Sequence, residues 1–135
     1  MYQQMIFVNL PVTDLDASKK FFTELGYTIN PQFSDENAAS VVISDTIVAM
    51  LLTKSFYATF TDKEIADAKK TSEVLVALSA PSREKVDELV ERALAAGGMV
   101  SGRTQDLGFM YGRAFDDLDG HTWEIIWMDP AAVQG

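Results

Sequence analysis

The sequence contains no cysteine, which removes disulfide scaffolds, thiol nucleophiles, thiolate zinc sites and iron–sulfur clusters from consideration. Histidine is nearly absent as well: His121 is the only one, so a site built from several imidazoles is excluded. Basic residues are scarce. Eleven lysines and arginines stand against twenty acidic side chains, a formal net charge of −9, and the longest basic runs are the pairs Lys19-Lys20 and Lys69-Lys70. Such a surface repels a phosphate backbone and favours neutral or cationic ligands, so no nucleic-acid partner is expected. Long apolar runs are missing too. The longest, residues 47–52, is far short of a membrane span, and no basic stretch precedes an apolar one near the start. The expectation is a cytoplasmic protein with no membrane partner. No glycine-rich phosphate loop and no G-x-S-x-G turn occurs, which leaves nucleotide-binding and serine-hydrolase readings without support.

What is present is an ordinary globular composition, 47% hydrophobic and 23% charged over 135 residues, enough for one compact unit or two small repeated modules. Residues 5–12 read as a buried strand ended by Pro11 and the turn-prone Thr13-Asp14. Asp14 is placed to cap a helix over residues 15–25, where Leu15, Ser18, Phe21, Phe22 and Leu25 recur at helical spacing before Gly26 stops it. Strands at 27–29, 39–43 and 46–52 follow, the last two as a hairpin around Ser44-Asp45. Thr61 with Glu64 forms a capping-box pattern that predicts a short helical linker over residues 61–71. The order then restarts: a strand at 74–80, a helix at 82–96 with Val86, Leu89, Val90 and Leu94 on one face, Gly97-Gly98 as its stop, and strands at 99–101, 111–115 and 122–128. Two βαβββ modules of roughly 60 residues, 1–60 and 72–130, are therefore predicted, each needing a sister to cover its apolar face.

Three stretches, in order, carry a family resemblance: Phe7-Val8-Asn9-Leu10-Pro11-Val12-Thr13-Asp14-Leu15 followed by Ser18, Phe21-Phe22 and Leu25-Gly26; then Ala95-Ala96-Gly97-Gly98; then Phe115-Asp116-Asp117-Leu118-Asp119-Gly120-His121-Thr122-Trp123-Glu124-Ile125. Together they resemble the vicinal oxygen chelate superfamily, which contains glyoxalase I, extradiol dioxygenases, fosfomycin resistance enzymes and bleomycin resistance proteins. Leu118 stands where the family usually has proline. The resemblance implies an α+β fold in which the two βαβββ modules form a cupped mixed sheet, the glyoxalase/bleomycin resistance fold. It also implies four positions facing the concave sheet that supply metal ligands in metal-dependent members: Phe7, Leu75, Ala49 (or Met50, one residue on) and Glu124. Only Glu124 is a ligand type, so no metal and no cofactor is expected.

Strand alternation offers an independent check. Ile6, Val8, Leu10 and Val12 share the face suited to helix packing, and Phe7, Asn9 and Pro11 share the other. Val74, Val76, Leu78 and Ala80 face the helices in the second module, leaving Leu75, Ala77 and Ser79 for the cavity beside Glu124. Glu124 reads as a general base or as an anchor for a ligand amine or hydroxyl; its alternatives are a structural pair with Arg113 or Arg103, or simple exposure near a rim. Asn9 reads as a ligand contact or a backbone hydrogen-bonding residue. Tyr111 and Arg113 bring a phenol and a guanidinium to the cavity mouth, or pack as core and solvated surface. His121 reads as a turn residue, Trp123 and Trp127 as packing against helices or a partner, and Phe56, Tyr57 and Phe60 as a lid or a dimer contact. The expected function is a glyoxalase-like small-molecule binder or metal-independent enzyme with Glu124 as its polar contact; its non-enzymatic version is an acidic homodimer that sequesters a cationic compound. The alternatives are a metal-dependent lactoylglutathione lyase, a subgroup that the Met110-Tyr111-Gly112-Arg113 stretch resembles, or an extradiol dioxygenase, and an interaction module without a ligand.

Overall fold

The structure is a computed structural model and describes residues 2–132. The chain divides into two compact units, Met1–Ala66 and Asp67–Gly135, each built as β-α-β-β-β around its own sheet.

In the first unit, β1 (Ile6–Val12) leads through Asp14 into α1 (Leu15–Glu24). The Asp14 side chain accepts a hydrogen bond from the Ala17 amide at 3.0 Å, satisfying one of the donors a helix start leaves open. The predicted apolar stripe is the buried one: Leu15, Ser18, Phe21, Phe22 and Leu25 are all enclosed, and the two phenylalanine rings meet edge to face at 5.0 Å. Gly26 follows at φ +106°, a left-handed conformation open to glycine without strain. β2 (Thr28–Asn30), β3 (Ala38–Val42) and β4 (Ile47–Thr53) complete a sheet ordered β1-β4-β3-β2, with β1 and β4 parallel and the other pairs antiparallel. Leu10, Val12, Ala39, Val41, Ala49 and Leu51 form its buried face. Burying side chains of this size stabilises a fold by about 1.5–3 kcal/mol each for the larger ones.

A short α2 (Lys54–Tyr57), capped by Thr53 Oγ1 accepting from the Phe56 amide, runs into a single 3-10 turn, Ala58–Phe60. The predicted helical linker over residues 61–71 does not form. Thr61 Oγ1 instead accepts from the Lys63 amide, a turn-closing bond two residues on, and the segment has no apolar stripe to bury, so nothing offsets the cost of helix nucleation. The helical turns lie just before it, where Phe56 and Phe60 stack edge to face at 5.1 Å.

The second unit repeats the plan. β5 (Val76–Ser79) precedes α3 (Arg83–Ala95), whose cap is Ser82 accepting from the Lys85 amide at 3.1 Å. Its buried face is Val86, Val90 and Ala93, with Leu89 and Leu94 only partly covered. β6 (Met99–Asp106), β7 (Met110–Asp116) and β8 (Thr122–Met128) give the order β5-β8-β7-β6, again with one parallel pair, β5 with β8. Two sequence expectations are corrected here. Val74 precedes β5 and is 61% exposed instead of facing a helix, and β6 runs five residues beyond Ser101, through a register irregularity between Ser101 and Gln105. Among the described residues, no helix is long and apolar enough to cross a membrane.

Candidate functional site

The turn that delivers β8 is organised by Asp117, a buried carboxylate. Its Oδ1 accepts from the Asp119 and His121 amides and its Oδ2 from the Trp123 indole, each at 3.0 Å. Burial pushes this carboxyl above its ordinary range, while the neighbouring His121 and these donors pull it back. Beside it, Gly120 sits at φ +88°; a Cβ there would lie 2.8 Å from the Lys69 amide nitrogen and 3.0 Å from the Ala68 carbonyl carbon. The glycine is thus required both by its backbone conformation and by the strand of chain lying over it. His121 serves the turn through its amide, and Trp123, 1% exposed, packs in the core.

With the turn fixed, alternation divides β8 cleanly. Trp123 and Ile125 are buried, whereas Thr122, Glu124 and Ile126 look into a hollow of about 330 Å³ on the opposite face. Its floor is Gly112 and Ala114 of β7, Leu75 and Met110 add apolar walls, and Ser101, Arg103 and Gln105 line it from β6. Glu124 and Leu75 are brought together as the alternation predicts. Neither of the structural pairings considered for Glu124 forms: among the described residues, no hydrogen bond or ion pair to its carboxylate is found.

Tyr111 and Arg113 are turned elsewhere. Arg113 borders the hollow, but its guanidinium donates to Asp87 at 2.9 Å and Glu91 at 3.0 Å on α3, and the Tyr111 hydroxyl donates to Asp87 at 2.6 Å. The expectation that these polar ends reach the cavity mouth is therefore corrected: the odd-numbered residues of β7 point to the helix, whose Asp87 and Glu91, four residues apart, present carboxylates on one face. The Tyr111 hydroxyl, followed by the Arg113 guanidinium, holds the Asp87 carboxyl below its usual range, although burial opposes them. Arg83, at the start of the same helix, forks onto Asp106 at 2.6 and 2.9 Å and lies between the Tyr111 and Trp127 rings, 5.0 and 5.3 Å from their centres. That fork holds Asp106 at about 2 and ties the β6–β7 hairpin to α3.

The first unit has a separate hollow of about 250 Å³, lined by Asn9, Leu52, Tyr57, Phe60 and Thr61. Asn9 and two of the three linker aromatics thus meet over one cavity. Phe7, 56% exposed, is not part of it. Met50, not Ala49, is this module's counterpart of Glu124. Met50 pairs with Asn9 across the parallel strands as Glu124 pairs with Ala77, whereas Ala49 is fully buried on the helix side.

The metal that the family resemblance implies can be tested against these residues. The first module offers Phe7 and Met50, the second Leu75 and Glu124, so neither supplies more than one carboxylate. Among the described residues, no group of three histidine, aspartate or glutamate side chains converges. A hard divalent cation needs several oxygen or nitrogen donors, and this donor set does not fit it.

Sequence reasoning missed the contribution of β6, although Ser101, Arg103 and Gln105 recur at period two, the signal of one strand face. It also missed Asp117, which sits beside the sequence-identical Asp116; the latter accepts from the Thr122 hydroxyl at 2.6 Å.

Comparison with known proteins adds to this geometry. The family described as bleomycin resistance protein-like N-terminal matches residues 4–44. No curated protein matches the chain. Among solved structures, the chain is similar to a hypothetical protein from S. aureus, with 29% identity over 94% of each chain and a TM-score of 0.77. It shares its fold with a glyoxalase-related enzyme from Fulvimarina pelagi, at 23% identity over 93% of this chain and 88% of that one, TM-score 0.77. The same holds for the fosfomycin resistance protein FosX from Listeria monocytogenes, at 20% identity over 94% of each chain, TM-score 0.67.

Proposed function

We propose that the chain is a member of the vicinal oxygen chelate superfamily and that it binds a small organic amine in the hollow of its second module, with Glu124 as the counter-charge. The observation that carries this reading is the Glu124 carboxylate, which lines the hollow beside Leu75, Met110 and Ile126 and makes no internal ion pair or hydrogen bond among the described residues. Glu124 is partly exposed at the hollow, and a charge-assisted hydrogen bond from an ammonium pairs with its carboxylate more strongly than a neutral donor does. The net charge of −9 acts in the same direction by drawing cations toward the surface. The hollow, at about 330 Å³, is at the small end of cavities that take organic ligands, which favours a compact molecule. Sequestration of such a compound and a metal-independent reaction on it share this binding step.

The test is a calorimetric and thermal-shift series of short alkyl and aryl amines against the wild type and Glu124→Gln. Binding is expected in the wild type and should weaken by about tenfold or more when the carboxylate becomes an amide, the loss of one charge-assisted contact. Amine binding that is indifferent to the substitution would overturn the proposal. So would a transition metal held at one per chain in protein purified without chelator and lost on the same substitution.

A further inference from the structure

The chain has four arginines, all in the second unit, and three are engaged with carboxylates: Arg83 with Asp106, Arg92 with Glu88, and Arg113 with Asp87 and Glu91. Arg103 is the exception. It lines the same hollow as Glu124, and among the described residues no carboxylate pairs with it. The hollow therefore carries one unpaired negative and one unpaired positive side chain, in a chain otherwise rich enough in acids to pair its other arginines.

The sheet register sets how far apart they stand. Glu124 on β8 is opposite Ala114 on β7, which is opposite Ser101 on β6, and Arg103 follows in the irregular stretch between Ser101 and Gln105. Adjacent strands are about 4.8 Å apart, so β8 and β6 are two strand spacings, about 10 Å, apart, and Arg103 lies a further two residues along β6 from the residue opposite Ala114. The floor between them is Gly112 and Ala114, which have almost no side chain to fill the span. Gly102, at φ +63°, bends β6 immediately before Arg103, and the Arg83 fork onto Asp106 anchors the far end of that segment to α3. The rim that presents Arg103 is thus held at both ends, on one side by pairing with β7 and on the other by an ion pair.

We infer that the hollow takes an amphoteric ligand, an ω-amino carboxylate lying across β7 with its ammonium on Glu124 and its carboxylate on Arg103. The inference rests on the amine-binding role proposed for Glu124 and adds the second charge and its place. A chain of several methylenes spans the small-residue floor and covers it with apolar surface.

Three six-carbon probes separate the contributions: ε-aminocaproate, hexylamine with only the cation, and hexanoate with only the anion. Titration calorimetry on the wild type should give ε-aminocaproate an affinity about tenfold above either singly charged compound. Arg103→Gln should bring ε-aminocaproate down to the level of hexylamine and leave hexylamine unchanged, and Glu124→Gln should bring it down to the level of hexanoate. If hexylamine binds the wild type as tightly as ε-aminocaproate, or Arg103→Gln leaves ε-aminocaproate unaffected, the amphoteric ligand is wrong and the amine site stands. If neither amine responds to Glu124→Gln, or no probe binds, both readings fall.

Discussion

Removal of the Asp117 carboxylate tests how the second module holds its last strand. In Asp117→Ala, the Trp123 indole loses an acceptor in a core where the ring is 1% exposed, and the Asp119 and His121 amides lose theirs in a partly covered turn. A buried donor left without its acceptor costs about 1–3 kcal/mol, and the two turn amides, which water partly reaches, about 0.5–1 kcal/mol each. Against this, the substitution removes a carboxylate whose burial is itself unfavourable, so the net loss is about 2–3 kcal/mol, or roughly 10 °C in Tm for a chain of this length. Asp117→Asn separates the contributions, because its carbonyl oxygen still serves the two amides while its NH2 group faces the indole N–H, donor against donor. It should lose about half as much as alanine. Both tryptophans lie in the second unit, so denaturant titration followed by fluorescence reports on that unit, with far-UV circular dichroism as the global probe. A double-mutant cycle of Asp117→Ala with Trp123→Phe should give a coupling of about 1.5 kcal/mol, the range for a hydrogen bond to a charged group. A coupling near zero, or an Asn variant as stable as the wild type, would refute the assignment of the indole bond as the lock on this turn.

Two further outcomes follow from the same module. Gly120→Ala forces a left-handed conformation on a residue with a side chain and drives its Cβ to 2.8 Å from the Lys69 amide nitrogen, so it should destabilise by at least about 2 kcal/mol, read as a lower denaturant midpoint. The Arg83–Asp106 pair governs part of the acid limb: Asp106 is lowered from 3.8 to about 2, so the folded state binds fewer protons than the unfolded one between those values. Its stabilisation is complete above about pH 4 and is lost as the pH falls toward 2. Arg83→Gln should flatten the stability profile between pH 4 and 2, and an unchanged slope in acid denaturation would remove the pair from the account.

The elements that the sequence disclosed are those in which one period runs unbroken. Asp14 before Leu15, Ser18, Phe21 and Phe22, then Gly26, leaves little choice but a capped helix, and strict alternation on β8 is enough to put Glu124 opposite Trp123 and Ile125. The failures have equally specific causes. Glycine and four polar residues after Ser101 carry no apolar signal, so the sequence pattern ends before β6 does; it is an edge strand with most side chains exposed, and its pairing with β7 is a long-range fact. The Thr61 capping pattern is a local signal without an apolar face to support it, and the shorter turn bond prevailed. Asp116 and Asp117 are indistinguishable as letters. Which one enters the core is decided by where the Trp123 indole sits, six residues along the chain.

The two faces of β7 divide the remaining work. Tyr111, Arg113 and Phe115 face α3, where the first two close an ionic network with Asp87 and Glu91 and the third is buried in the core. Gly112 and Ala114 face the hollow and contribute almost no bulk to it. A register slip of one residue would place the guanidinium of Arg113 beside Glu124 and satisfy the carboxylate internally, abolishing the free charge on which ligand recognition depends. The Asp117 turn and the Arg83 fork, at opposite ends of β7, are what prevent that slip. For the same reason Glu124→Gln and Arg103→Gln touch none of the contacts that hold the module together, and a loss of binding in either variant can be attributed to the hollow itself.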